Sequence, residues 1–440
     1  MGVDSRHDET AAATVYGHKQ STVVTASVTG DDTVYEFSDL DLAMKMHYVR
    51  AVWYYRHSPT IDALSIVDLK LPMFPWLDIF YPVTGRIRRA EDGGGRPRVK
   101  CNDCGVRIVE AKCAKSLDEW LDAANANNWK LLVPDKVLGP DLQFSPFVYV
   151  QFTKFKCGGL AIGYSWAHVL GDPVSAADCI KLWGQLLSGY PPTHPLLPLR
   201  GPQTPAGIPA KHLQCSPPLS VKQVEQAGDL WLVPAARKMA TLSVHIPESK
   251  LEHLQSRAPS KLPPFEILSA VLWHCLAKAR ASREPRLVSV CRYAASGERT
   301  GLLGNELRVS AVAAADASPA EVGFAELASL MLEREADETK LVEALVGGKS
   351  GTADVVVYGA NLTFVDVEGV DLYGLELKGG QRPVHVDLGI DGVGDEGAVL
   401  VFGGTSRRRV ELILPEDEIL KVSEVLDKEF DMVESSACLD

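Results

Sequence analysis

The sequence predicts an α/β fold: two domains with mixed β-sheets flanked by helices, joined by a long crossover linker. Length is the first reason. At 440 residues the chain exceeds the size at which one hydrophobic core stops growing, so two domains of roughly 200 residues each are expected. The second reason is a break near the middle, where nine prolines fall between positions 191 and 220. Such a stretch lacks the donors for continuous helix or sheet and reads as an extended linker. The third is that strand-like and helix-like periods alternate on both sides of this break, with no fixed-period repeat. The expected division is an N-terminal domain over 1–190, a Pro-rich crossover over 191–220, and a C-terminal domain over 221–440.

Apolar residues at helical spacing predict helices over Ala43 to Tyr55 and Leu117 to Asn125. Short strand-like runs lie between them, at Arg98 to Cys101 and Gly105 to Glu110. Phe147 to Phe155 alternates apolar and polar residues, Gly158-Gly159 makes a turn, and Leu160 to Trp166 returns as the second strand of a hairpin. Pro173 to Leu187 carries Ala176, Cys179, Ile180, Trp183 and Leu187 on one helical face. Beyond the linker, Leu242 to Ile246 and Leu287 to Cys291 read as strands. Pro264 to Ala279 reads as a helix opened by prolines. Further helices are expected at Phe324 to Glu335 and Glu416 to Glu429. Strands are expected at Asp354 to Tyr358, Val384 to Ile390, Ala398 to Phe402 and Arg409 to Leu414.

Composition is that of an ordinary folded protein, with 46% hydrophobic and 23% charged residues. A formal charge of -12, from 45 basic and 57 acidic residues, argues against nucleic acid or an anionic membrane surface as the main partner, because phosphate neutralisation needs clustered Lys and Arg. The one dense basic run, Arg407 to Arg409, reads as a solvated hairpin tip. Nine scattered cysteines suit free thiols in a reducing compartment. Cys101 and Cys104 form one CxxC with no second pair at zinc-like spacing, so no metal site is expected. Met1 to Thr10 is polar and shows no signal-peptide pattern, while Leu71 to Val83 is broken by Pro72, Pro75, Asp78 and Pro82. No transmembrane segment is expected.

The segment His168-Val169-Leu170-Gly171-Asp172-Pro173 carries the strongest chemical signal, on a tight turn between a strand and the helix that begins at Pro173. A neutral imidazole there suits a general base near neutral pH. The bland alternative is a buried turn histidine, since HxxxD arises often by chance. Asp172, directly before Pro173 and an apolar-periodic helix, is expected to be an N-cap. Gly392 to Gly397 fits GxGxxG, but a strand follows instead of a helix, and Asp395 and Glu396 would repel a pyrophosphate. It is expected to be a hairpin turn.

The order of several further segments resembles the BAHD superfamily of acyl-CoA-dependent acyltransferases along most of the chain. They are Val83-Thr84-Gly85-Arg86-Ile87, Cys101-Asn102 with Gly105-Val106, Gln151 to His168 with its Cys157-Gly158-Gly159, Ala270-Val271-Leu272-Trp273, and Gly304-Asn305. The resemblance implies two chloramphenicol-acetyltransferase-like domains enclosing a solvent channel. In such a channel His168 would deprotonate the acceptor, while Asp172 would be structural and pair with an arginine. Arg292, placed after the Leu287 to Cys291 strand, is the candidate for that partner. Acyl-CoA would be a substrate, and no bound cofactor is implied.

The family's Asp-Phe-Gly-Trp-Gly loop is degenerate here. Asp371-Leu372-Tyr373-Gly374-Leu375 keeps the Asp and loses the aromatic-Gly-Trp core, and Pro173 replaces the usual glycine after Asp172. With Ser165-Trp166-Ala167-His168, Asn361 to Val365 and Gly392 to Gly397, these departures resemble the eceriferum or glossy branch. That branch implies a role in cuticular wax biosynthesis. The chain would promote very-long-chain fatty acid elongation with an elongase condensing enzyme, a 3-ketoacyl-CoA synthase, without needing its own catalysis. The expected setting is the cytosolic face of the endoplasmic reticulum or the cytoplasm, with the chain monomeric by itself. The alternative is an acyl-CoA-dependent O- or N-acyltransferase using His168 as general base.

Overall fold

The computed structural model describes residues 14–30, 32–89, 95–122, 128–192, 198–199, 217–258, 262–314, 318–348, 354–404 and 407–432. Most of the proline-rich segment at 191–220 lies outside them.

Two large mixed sheets organise the described residues. The first runs in the order Val15–Val23, Val106–Cys113, Val148–Phe155, Leu160–Ala167, Tyr48–Tyr55, His385–Asp391. Its expected hairpin is present: Val148–Phe155 pairs antiparallel with Leu160–Ala167. The second runs Met239–Pro247, Arg407–Pro415, Ala398–Phe402, Leu362–Asp366, Leu287–Tyr293, Leu307–Ala313, Ala336–Asp337. Its central strands are parallel, 287–293 to 362–366 and 362–366 to 398–402. Ala398–Phe402 is buried throughout and Leu362–Asp366 in all but Asp366, and both read as apolar runs, as strands covered on both faces do. The Pro264–Arg280 helix covers this sheet and packs against Phe324–Glu333 and Glu416–Phe430, burying Leu268, Leu272 and Leu276.

The first sheet takes its edge strand from the far end of the chain. His385–Asp391 pairs antiparallel with Tyr48–Tyr55 over seven residues, from His385 opposite Tyr54 to Asp391 opposite Tyr48. The two halves of the sequence are therefore interlocked by backbone hydrogen bonds, and one apolar cluster runs from Trp53, Trp76 and Trp166 to Leu303, Tyr358 and Leu375.

That strand corrects two expectations. Ala43 to Tyr55 is not one helix: Asp39–Ala43 is a short helix capped by Ser38 and Asp41, and Tyr48–Tyr55 is a central strand. All eight residues of the strand are buried, and an apolar run covered on both faces carries no period-2 signal to separate it from a buried helix. Nor is Gly392 to Gly397 a hairpin turn. It carries the chain from His385–Asp391 in the first sheet to Ala398–Phe402 in the second. Its Asp395 accepts hydrogen bonds from the amides of Ala236 and Arg237. At the Arg407 to Arg409 run, Arg407 is exposed, but Arg408 pairs with Glu368, and Arg409 bonds the Val386 carbonyl and stacks on Phe402.

Among the described residues no helix is long and apolar enough to cross a membrane, and no cluster of three or more His, Cys, Asp or Glu is placed to hold a metal. Cys101 and Cys104 are free thiols.

Candidate functional site

His168 follows the buried Leu160–Ala167 strand and opens a 3₁₀ turn, His168–Leu170, that ends where the Pro173–Leu187 helix begins. Its amide donates to the His47 carbonyl at 3.1 Å and its carbonyl accepts from Asn305 Nδ2 at 2.9 Å. The backbone at the histidine is thus held from both halves of the chain. Asn305 is itself fixed by Asp41, whose Oδ1 accepts from the Asn305 amide and Nδ2 at 2.8 and 2.9 Å. Burial raises the Asp41 carboxyl above its ordinary range.

Asp172 is the N-cap of the Pro173–Leu187 helix, its Oδ1 accepting from the Ser175 amide at 2.9 Å. It also holds an arginine. Arg299 Nη1 lies 2.9 and 2.8 Å from its two oxygens, and the Glu306 amide donates to Oδ2 at 2.8 Å. Arg299 Nη2 completes the knot at Ser175 Oγ and the Gly304 carbonyl, each at 2.8 Å. Arg292, the partner expected from the sequence, is elsewhere. It joins Glu266, Glu335 and Asp366 at 2.8, 3.2 and 3.2 Å and lies over the Phe265 ring. Arg292 sits at the end of a strand whose neighbours supply three carboxylates, whereas Arg299 lies on the loop that Gly304 and Asn305 dock against the His168 turn.

The imidazole of His168 is fully buried. It lies at the seam between the two halves with no exposed surface of its own, where the expectation was a base open to solvent. Its Nε2 is 2.9 Å from the Tyr358 hydroxyl, which is 2.6 Å from the Tyr293 hydroxyl. Nδ1 finds no hydrogen-bond partner among the described residues. Burial lowers the pKa of His168 to about 4, against the upward pull of the Asp172 carboxylate. The ring is therefore neutral at pH 7, the form a base requires.

A second histidine, which sequence reasoning did not single out, stands beside it. His47 Nδ1 bonds the Gly392 carbonyl at 2.8 Å and its Nε2 accepts from the Val357 amide at 3.2 Å. Those partners place its proton on Nδ1. Burial, with His168 close by, lowers its pKa to about 3. The ring packs 4.7 Å from that of Tyr358.

The degenerate loop lies away from this network. Asp371 is exposed and pairs with Lys181 at 3.2 Å, and Tyr373 is half exposed. The loop is anchored through its backbone, where the Leu372 and Leu375 carbonyls accept from Trp53 Nε1 at 2.7 Å and the Tyr55 hydroxyl at 2.8 Å.

A family model described as "Transferase family" matches residues 14–300. The chain belongs to the BAHD transferase family. Among curated relatives it is 36% identical to Protein ECERIFERUM 26 of Arabidopsis thaliana over 93% of this chain and 94% of that one, and 38% identical to Protein ECERIFERUM 26-like over 94% and 96%. Protein ECERIFERUM 2 from the same plant is 34% identical over 92% and 96%. Among solved structures, vinorine synthase superposes with a TM-score of 0.70 at 18% identity, covering 96% of this chain and 99% of that one. F. graminearum TRI101, complexed with coenzyme A and deoxynivalenol, gives 0.68 at 15% identity over 91% and 98%. These likenesses show the fold of the BAHD protein, the two-lobed chloramphenicol-acetyltransferase-like architecture.

Proposed function

We propose that this BAHD protein acts in cuticular wax biosynthesis, promoting very-long-chain fatty acid elongation together with a 3-ketoacyl-CoA synthase, and that it does so without transferring acyl groups itself. One observation carries the non-catalytic half of this reading. The only base the family motif offers is fully buried and has its Nε2 engaged by Tyr358, whereas a general base needs that nitrogen within hydrogen-bond reach of a substrate hydroxyl. The pathway half is supported by 34 to 38% identity to ECERIFERUM proteins over more than nine-tenths of the chain. The setting that goes with it is the cytosolic face of the endoplasmic reticulum, reached through the partner enzyme.

The test is lipid profiling of a strain that expresses the protein with and without a condensing enzyme. Longer acyl products are expected only when both are present, and His168→Ala is expected to preserve the effect. Loss of elongation in His168→Ala at normal protein level would refute the non-catalytic reading.

A second reading, an acyl-CoA-dependent O- or N-acyltransferase, is favoured by the intact Asp172–Arg299 pair beside His168. There, His168 would take the acceptor's proton as the acceptor attacks the thioester carbonyl, and free coenzyme A would leave. Purified protein would then release coenzyme A from a long-chain acyl-CoA and a fatty or aromatic alcohol.

A further inference from the structure

A base in an acyltransferase needs an acceptor hydroxyl about 2.6 to 3.2 Å from its reactive nitrogen. In this chain a hydroxyl already stands there, and it belongs to the protein. Tyr358 Oη is 2.9 Å from His168 Nε2. The proton can be arranged in two ways, and neither leaves a free lone pair on Nε2. If the phenol donates, Nε2 is its acceptor; if Nε2 carries the proton, it is the donor and is no base. Nδ1 offers no substitute, because it is enclosed with the rest of the ring.

The phenol is not a side chain that swings in by chance. Behind its oxygen stands the half-buried Tyr293 hydroxyl, at 2.6 Å. Its ring packs against those of both His47 and His168, at 4.7 and 5.5 Å between centroids. Its backbone is gripped on both sides: the Val357 amide donates to His47 Nε2, and the Tyr358 carbonyl accepts from the Gly394 amide at 2.9 Å. The next residue, Gly359, has φ +81 and lies so close to Gly394 that a Cβ would sit 2.4 Å from the Gly394 carbonyl oxygen. Only glycine fits such an approach in that conformation. A position held at this many points keeps its side chain in one place.

We propose that Tyr358 is a resident occupant of the acceptor position on His168, and that the space it fills takes a small phenol when the side chain is removed. The proposal deepens the non-catalytic reading, on which it rests, by naming the residue that closes the base. The His168 and Asp172 constellation then serves architecture, with the tyrosine supplying the hydroxyl that a substrate would otherwise bring.

The experiment uses diethyl pyrocarbonate, which acylates neutral, accessible imidazole nitrogen, with labelling of each histidine followed by peptide mass spectrometry on the full chain at pH 7. His57 is exposed and serves as the internal reference. In the unmodified protein His168 is expected to label far more slowly than His57. In Tyr358→Ala its rate should rise by about tenfold or more, because the reagent no longer waits for a local opening, and p-cresol added to that variant should restore the protection. Tyr358→Phe removes one oxygen and keeps the packing, so it covers the case in which the alanine variant does not fold. It should shift the ¹⁵N resonance of His168 Nε2 and leave that of His47 in place. Labelling of His168 as fast as His57 in the unmodified protein would overturn the proposal. So would an unchanged His168 resonance in Tyr358→Phe, or protection in a folded Tyr358→Ala that p-cresol does not affect. None of these outcomes bears on whether His168→Ala supports lipid elongation, so the two readings fail separately.

Discussion

Arg299 holds Asp172 with one guanidinium nitrogen across both carboxylate oxygens, at 2.9 and 2.8 Å, while its other nitrogen holds the residue three positions further on, Ser175. The pair joins the two halves of the chain at the turn that presents His168. Both side chains are almost wholly out of water, at 1% and 0% exposure. Removing one partner of such a pair strands a buried charge, which costs about 3 to 5 kcal/mol. Arg299→Ala is expected to lower unfolding stability by about that amount in urea melts. Asp172→Asn should cost less than Asp172→Ala, because an asparagine still caps the helix.

Arg292 supplies the contrast. Its carboxylate partners Glu266, Glu335 and Asp366 belong to the second sheet and the helices on it. Arg292→Ala should destabilise the C-terminal half while leaving the ¹⁵N resonances of the His168 ring unmoved. Arg299→Ala should move them.

The two buried histidines make stability depend on pH with a definite sign. His168 and His47 titrate at about 4 and about 3 in the folded chain, against about 6.5 when exposed. The unfolded chain therefore binds more protons between those values, and the histidines' contribution is complete above about pH 6.5 and falls as the pH drops towards 4. Glu368, raised by burial to about 7, works the other way across part of the same range, so the whole-protein curve mixes the two. The difference between the unmodified protein and His168→Gln isolates the histidine. That difference should shrink by about 2 kcal/mol between pH 6.5 and pH 5. A difference that stays flat would mean the ring is hydrated in the native state.

Gly392 is a conformational requirement of the seam. Its φ is +80, and a Cβ would meet the Met46 carbonyl oxygen at 2.3 Å, while its own carbonyl accepts from His47 Nδ1. Left-handed backbone costs a side-chain-bearing residue about 1 to 2 kcal/mol, and the carbonyl clash adds to it. Gly392→Ala is expected to destabilise by at least about 2 kcal/mol and to shift His47 with it. Gly189, also at positive φ but with nothing near its Cβ, should lose only the conformational part on the same change.

Elements whose residues alternate or repeat with one buried face were legible in the sequence. The 148–155 and 160–167 hairpin, the Pro173–Leu187 helix and the Pro264–Arg280 helix lie where their periods placed them. The Tyr48–Tyr55 strand did not announce itself, because burial on both faces erases the alternation. Its partner, His385–Asp391, is more than three hundred residues away, and local pattern says nothing about so distant a pairing. At the site, His168 and Asp172 could be chosen from the motif, and the N-cap from Asp172-Pro173. Arg299 and Tyr358 could not. Each reaches the turn from a loop whose approach depends on glycine contacts, Gly304 against Leu170 and Gly359 against Gly394, and spacing encodes neither.

The degenerate loop yields the last prediction. Its retained Asp371 makes an exposed ion pair with Lys181, and such pairs contribute about 0 to 1 kcal/mol. A Cβ on Gly374 would meet the Asp371 carboxylate at 2.1 Å, but that is the free end of an exposed side chain and can swing away. Asp371→Ala and Gly374→Ala should therefore each change stability by less than about 1 kcal/mol. Trp53 holds the same loop from below, its buried Nε1 donating to the Leu372 carbonyl at 2.7 Å. Trp53→Phe leaves that carbonyl unsatisfied and loses ring area, which should cost about 2 kcal/mol or more. If the two loop variants proved the costlier ones in urea melts, the signature residues and not the backbone anchors would be what fixes this loop.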